Sequence, residues 1–341
     1  MKQLLALVIF TCASFALTAQ DLETPVQYMD YISTQRGNIS KKFMAYASAS
    51  AHGKRARKVE NLRMKLLDEV QEVRMNISGM PAFKGDKTYR DTAVSFMKLY
   101  YNILNDDYTK VVNMEEIAEN SYDEMEALLL IKDGIDKKLE EGNERMRKAE
   151  EEFAKKNNVN LVASTSELGE KLKQVHELNE YYNEVYLIFF KPYMQERTLV
   201  EASGKGNITS IEQTKNAMLN YSQAGLEKLK TIKPFQGDAS VVGACRQMLQ
   251  FYVKEAEDMS TVTDYYLAKE RFEKLKKDFD KKDEHSKEEV DAYNKGVNEI
   301  NKASNAYNQR VNNQNSQRTE ALNNWNKTVN EFFDEHTPRY K

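Results

Sequence analysis

Pro81-Ala82-Phe83-Lys84-Gly85-Asp86 and Pro234-Phe235-Gln236-Gly237-Asp238 are two versions of one phrase. Each runs into an apolar pattern with helical spacing: Phe96, Met97, Leu99 and Tyr100 after the first, Met248, Leu249, Phe251 and Tyr252 after the second. From Phe83 to Tyr100 the second copy keeps an offset of 152 residues without a gap. Solenoid repeats recur every 20–50 residues, so an offset this long points to a duplicated domain. Within the phrase, proline stops the preceding helix. Glycine frees the backbone, and the aspartate is placed to cap the next helix through its exposed N–H groups. The phrase therefore reads as a helix–loop–helix joint. One carboxylate per joint is too few for a hard cation that wants six or more oxygens.

Outward from the joints, apolar residues recur every three or four positions. Leu62, Leu66, Val70, Val73 and Ile77 form one such stripe. Ile131, Ile135, Leu139, Met146, Ala149 and Phe153 form another, and Tyr293, Val297, Ile300, Ser304, Tyr307 and Val311 a third. This is the period of an amphipathic helix, and no alternation of period two is sustained. Five prolines and 13 glycines in 341 residues, with 30% charged residues, agree with long helices. The expected fold is all-α: two tandem antiparallel helical bundles, spanning residues 20–160 and 161–341 and preceded by a signal peptide over 1–19. Helices are expected near 24–50, 55–77, 87–113, 120–156, 165–202, 210–232, 239–277 and from 287 onward. In the last helix the run Asn312-Asn313-Gln314-Asn315-Ser316-Gln317-Arg318 interrupts the stripe, as a solvated middle or a break. Leu322–Phe333 would then open a third, truncated unit.

The start, Met1-Lys2-Gln3 followed by Leu4–Phe10 and small residues to Ala19, has the three parts of a secretory signal. The residues before Cys12 do not form a lipobox. Export is the expectation, to the periplasm or cell surface. Without the signal a single cysteine remains, Cys245, so the fold must stand without an internal disulfide. Among Val241, Val242, Ala244, Met248 and Leu249 it reads as a small buried residue. No later segment is apolar enough to cross a bilayer. Lys and Arg number 50 against 53 Asp and Glu, intermixed along the chain. This balance argues against a nucleic-acid partner, which favours a clustered basic face. The basic run Lys54-Arg55-Ala56-Arg57-Lys58 reads as a solvated helix start.

Catalytic signatures are missing. Ser203-Gly204-Lys205-Gly206-Asn207 lacks the phosphate-loop pattern and a preceding strand, so it reads as a turn. His176, Glu177 and Glu180 have the best metal-like spacing, but no third ligand accompanies them. A hydrolase would need a histidine to meet carboxylates in a pocket. No catalytic residue, metal or cofactor is expected. Tyrosine is in surplus, with 19 copies. A tyrosine buries its ring while its hydroxyl reaches a polar partner. Most should lie at core edges; the functional alternative is a ligand groove between the two halves, lined by Tyr100, Tyr181, Tyr252 and Tyr265.

The closing Phe332-Phe333-Asp334-Glu335-His336-Thr337-Pro338, with the exported start and helical body, resembles a group of bacterial exported all-helical surface or periplasmic proteins. The resemblance implies export and a helical fold, and brings no catalytic residues. The expected function is a non-catalytic envelope protein presenting helical surfaces to another envelope protein or a cell-wall polymer. The alternative is a surface or periplasmic protein that binds a ligand in the groove.

Overall fold

The computed structural model describes residues 22–52, 56–107, 122–162 and 166–340. The signal-like start lies outside these residues. The described chain is all-helical, with no strand beyond two isolated bridges. In chain order the helices are α1 (Pro25–Ala51), α2 (Ala56–Ser78), α3 (Thr88–Asn102), α4 (Tyr122–Lys156), α5 (Glu167–Lys205), α6 (Ile208–Leu229), α7 (Ser240–Glu257), α8 (Ser260–Phe279) and α9 (Lys287–His336). A π turn, Ile103–Asp107, extends α3. N-cap side chains start four of the described helices, α6 among them through Asn207, whose Oδ1 accepts the Ser210 N–H at 3.1 Å. Thr24 and Gln27 form a capping box at α1, and Ser286 and Glu289 do so at α9. Ser166 caps α5 through the Gly169 N–H at 3.0 Å.

Two apolar cores divide these helices. The first joins α1, α2, α3 and the C-terminal half of α4 around Tyr28, Leu66, Val73, Met97, Met146 and Phe153. The second joins α5, α6, α7 and the C-terminal part of α9 around Phe190, Met218, Leu249, Tyr252, Trp325 and Phe332. Helix α4 is shared, because its N-terminal residues Met125 and Leu128 belong to the second core. Cys245 is fully buried there, its Sγ 3.9 Å from the Val185 carbonyl oxygen, and burial pushes the thiol up to about 12. Such a thiol is inert and packs as a small apolar group.

The two joints have the same geometry. Phe83 and Asp86 exchange backbone hydrogen bonds of 3.0 and 2.9 Å; Phe235 and Asp238 exchange bonds of 2.9 and 2.8 Å. Lys84 and Gly85 have φ of 49° and 85°, Gln236 and Gly237 of 50° and 92°. Two successive left-handed residues turn the chain back within four positions, and the second is glycine because a Cβ is costly there. Asp86 Oδ1 accepts the Thr88 N–H at 2.9 Å and Asp238 Oδ1 accepts that of Ser240 at 2.7 Å. The aspartate thus holds the first free N–H of the next helix, as its place in the phrase implied.

Helix α9 decides one open reading and corrects one expectation: it is continuous across the asparagine-rich run, as the first of the two readings had it, and its end does not open a third unit. Phe332 meets Phe235 edge-on at 5.8 Å, as Phe153 meets Phe83 at 5.3 Å. Tyr181 covers Phe235 at 5.4 Å as Tyr28 covers Phe83 at 5.3 Å. The end of α9 therefore packs on the second joint in the position that the end of α4 takes on the first.

A second expectation, one helix over 239–277, also fails. The chain bends at Asp258–Met259 with no proline or glycine. Met259 is buried, and Thr263 returns its hydroxyl to the Met259 carbonyl at 3.0 Å. Beyond the bend, α8 pairs with the first half of α9 as an antiparallel arm. No residue from Thr263 to Asn313 is buried. The arm is held by one seam, where Tyr265 stacks on Tyr307 at 4.5 Å and Phe279 on Tyr293 at 4.5 Å. At 1.5 Å per residue α8 alone is about 30 Å long.

Candidate functional site

Between the two cores lies a cleft of about 500 Å³, within the size range of small-molecule sites. Helix α4 builds one wall with Lys132, Ile135 and Leu139. Ile135 and Leu139 continue the α4 stripe and are half-buried, and Ile135 also packs against the second core. Helix α1 contributes Phe43, Tyr46 and Ala47, and α3 with its π turn contributes Tyr100, Ile103 and Leu104. The opposite side comes from α5 and α9, with Val175, Leu178, Asn179, Asn183, Asn330 and Phe333. The π turn swings Ile103 and Leu104 inward, where both are buried. Irregular turns of this kind occur often at functional sites.

The polar residues of the cleft are unevenly distributed. Arg63 and Lys132 come from α2 and α4, the three asparagines from α5 and α9. No carboxylate lines the cleft among the described residues. Arg63 is braced by Glu60 at 2.8 Å and reaches the Leu104 carbonyl at 3.4 Å. One end is closed by the chain's C-terminal residues. Tyr340 donates its N–H to Ser48 Oγ at 3.2 Å, and His52 Nδ1 lies 2.6 Å from Asp334 Oδ1. Gln174 donates to the His336 carbonyl at 2.8 Å. Thr337, also on the cleft wall, is buried.

Of the four tyrosines expected in a groove, only Tyr100 lines the cleft. It is half-buried, and burial holds its phenol above the ordinary range. Tyr181 lies under the second joint against Phe235 and Phe332. Tyr252 is 1% exposed in the second core, where burial, first of all, raises its phenol pKa. Tyr265 is at the root of the arm. Tyr252 and Tyr265 are taken up by packing within the second core and the arm, and Tyr181 lines a separate hollow beside Phe235 and Gln236, which spacing along one helix does not disclose. Tyr46 replaces them in the cleft, beside Phe43 at 6.4 Å.

A second polar assembly lies inside the second core, under the arm. Glu196 of α5 and Glu255 of α7 are 3% and 4% exposed. Arg318 of α9 bridges them, with Nε on Glu196 and Nη2 on Glu255 Oε1 at 2.8 Å. Arg310 adds a bond to the Glu255 carbonyl at 3.0 Å. Burial, and then the charge of Glu196, push the Glu255 carboxyl up to about 7, against the pull of Arg318. Two carboxylates sharing one guanidinium in a desolvated place retain a proton more readily than either would in water. The asparagine-rich run is solvated on one face only. Gln314 is buried within it, and Arg310, Gln314 and Arg318 are spaced by four along the buried face. That spacing was the signal available in the sequence; the carboxylates opposite, on two other helices, were not.

His176 is half-exposed and 3.4 Å from Glu180 on the helix surface. Asp238, Glu335 and His336 lie close enough to share an ion. His336 Nε2 is 2.8 Å from Asp238 Oδ2. The first joint places Lys156 2.6 Å from Asp86 in the same role, and an ammonium cannot ligate a metal. The trio therefore reads as the second joint's clasp, in which sequence reasoning had not placed His336.

No helix among the described residues is long and apolar enough to cross a membrane. Comparison with protein-family models, curated proteins and solved structures finds no match.

Proposed function

We propose that this chain is a non-catalytic, exported envelope protein, built from two tandem helical bundles, that holds a ligand in the cleft between them. The observation that carries the reading is the cleft. Two cores that bury their own apolar residues leave a third apolar surface open, contributed by five helices and rimmed with amides and cations. A pocket that is mostly apolar with a few convergent polar groups is the usual form of a binding site. The secretory pattern of residues 1–19 supports export. The matched joints, Phe83–Asp86 and Phe235–Asp238, support a tandem duplication.

Native mass spectrometry of the intact protein after incubation with an envelope extract tests the reading. The wild type should carry a small-molecule adduct that Ala47→Trp, which fills the cleft from α1, does not. Adducts unchanged by that substitution, or none on the wild type, would refute it.

The arm favours a second reading, presentation of a helical surface to an envelope protein or cell-wall polymer. A hairpin with no buried residue from Thr263 to Asn313 adds little to either core. Deleting it should leave the bundles folded and remove partner recovery in a pull-down from solubilised envelope.

A further inference from the structure

We propose that the cleft takes an uncharged molecule with a hydrocarbon body and a neutral, hydrogen-bonding end, and this rests on the binding reading above. The helices around the two cores can be matched residue by residue, starting from the rings near their joints. Fifteen residues beyond Tyr28 lies Phe43, and fifteen beyond Tyr181 lies Glu196. Three beyond Tyr100 lies Ile103, and three beyond Tyr252 lies Glu255. Counting back from Phe153, the fourteenth and eighteenth residues are Leu139 and Ile135; counting back from Phe332 they are Arg318 and Gln314. The four residues reached around the first core all line the cleft. Their four counterparts are the polar residues buried together beneath the arm. The cleft is therefore the counterpart of a place that the second core fills with its own charged side chains.

In that place Arg318 joins α9 to α5 and α7 through Glu196 and Glu255. Around the first core the same three positions hold Leu139, Phe43 and Ile103, so no such bridge can form. A molecule that takes the place of the bridging side chains meets these apolar residues, and Leu178 and Phe333 extend the same surface. A hydrocarbon body gains there in proportion to the area it covers. A charged group among Phe43, Ile103 and Leu139 would lose its hydration without the counter-charges that the second core supplies at those positions. The polar end follows from what else lines the cleft. Tyr100 brings a hydroxyl, and Asn179, Asn183 and Asn330 bring amides that both donate and accept. Neither Arg63 nor Lys132 is without a partner, so neither calls for an anionic head.

Titration calorimetry of the intact protein with decanol, decanoate and decylamine, each below its solubility or micelle limit, tests the proposal. Decanol should bind, and the two charged probes should bind at least about tenfold more weakly. Shortening the alcohol toward octanol should weaken it about fourfold for each methylene removed. Writing the second core's residues into the first, with Phe43→Glu, Ile103→Glu and Leu139→Arg together, should abolish decanol binding. Ala47→Trp, which adds no charge, should do the same and decides the matter if the triple variant does not fold. Circular dichroism unchanged from wild type shows that a variant is folded. A folded triple variant that binds decanol as the wild type does would overturn the proposal. Equal binding of all three probes would overturn the uncharged class and leave the cleft site in place. No binding of any probe would also overturn that class. If Ala47→Trp still removed an adduct from envelope extract, the cleft reading would survive that result; if it did not, both would fall.

Discussion

An exposed lysine closes over the first core, which is apolar; a buried histidine closes over the second, which contains charge. Lys156, 67% exposed at its side chain, reaches Asp86, whereas His336, 10% exposed, reaches Asp238. The backbone of the two joints is nearly the same, so the difference lies in what each closing helix must also do. Helix α4 ends at the first joint with its C-terminal residues facing solvent. Helix α9 reaches the second joint after building the arm, crossing the buried carboxylates and lining the cleft. From Phe83 to Phe153 the chain takes 70 residues, from Phe235 to Phe332 it takes 97, and the longer path contains the arm. A joint of this kind thus tolerates large changes in the connection beyond it. Its own geometry is set locally by four residues and three aromatic rings.

The strongest way to break the comparison is to remove the charge that only the second bundle buries. Arg318→Met leaves Glu196 and Glu255 without their shared cation and should cost about 3–5 kcal/mol in denaturant unfolding. Combining it with Glu196→Leu and Glu255→Leu should restore most of that loss, because the desolvated charges are then gone as well. A triple variant as unstable as the single one would show that the cluster contributes by packing rather than by charge.

Of the same order, Phe83→Ala and Phe235→Ala should each cost about 3–5 kcal/mol, since the first deletes the ring against which Tyr28 and Phe153 pack and the second the ring against which Tyr181, Phe332 and His336 pack. Equal losses would establish that the joints are energetically matched. A much smaller loss at Phe235 would show that α9 holds the second bundle independently of its joint.

A smaller effect is expected where the arm meets the body. Gly206 has φ of 66°, and a Cβ there would lie 2.6 Å from the Tyr266 ring. Gly206→Ala should cost about 1–3 kcal/mol through backbone strain and displacement of Tyr266. Hydrogen exchange should rise in α8 and leave α1–α3 unchanged; a uniform rise would remove the distinction between arm and body.

Acid and base should act with opposite signs on the features compared. The Glu255 carboxyl is raised in the folded protein to about 7 from 4.5. Its contribution to stability is therefore fully present below about 4.5 and is lost as pH rises toward 7. The joint aspartates behave in the other sense. Asp86 is lowered chiefly by its hydrogen bond to Lys156. Asp238 is lowered by bonds from Ser240 and His336 that outweigh its burial. Their contribution is present above 3.8 and is lost as pH falls below it. Denaturation midpoints from pH 4.5 to 7 should fall in wild type and flatten in Glu255→Gln. A profile unaltered by that substitution would place the titration elsewhere.

The smallest effect sharpens the equivalence of the clasps. His336→Lys puts the first joint's residue type into the second and should change stability by no more than about 1 kcal/mol at neutral pH. A larger loss would mean that the imidazole ring tilted against Phe332 at 4.7 Å matters more than its bond to Asp238.

The helices, the joints and their caps were legible in the sequence because each depends on contacts within a few residues. Apolar spacing located α1, α2 and α4 to α6 within a few residues, and the Phe-x-Gly-Asp phrase marked both turns with their capping aspartates. The bend at Asp258 was not legible, since neither proline nor glycine announces it; burial of Met259 decides it. Nor was the cleft. Tyr100 lines the cleft, whereas Tyr181, Tyr252 and Tyr265, with the same helical spacing, lie elsewhere. Spacing tells which face of a helix is apolar, and only packing tells whether another helix covers it. The same limit applies to Glu196, Glu255 and Arg318. Each is an ordinary charged residue in a chain rich in them, and desolvation and pairing arise only when α5, α7 and α9 are brought together. Local physics in the sequence thus determined the elements and the joints, and the tertiary structure decided which apolar surface stayed open and which charges went inside.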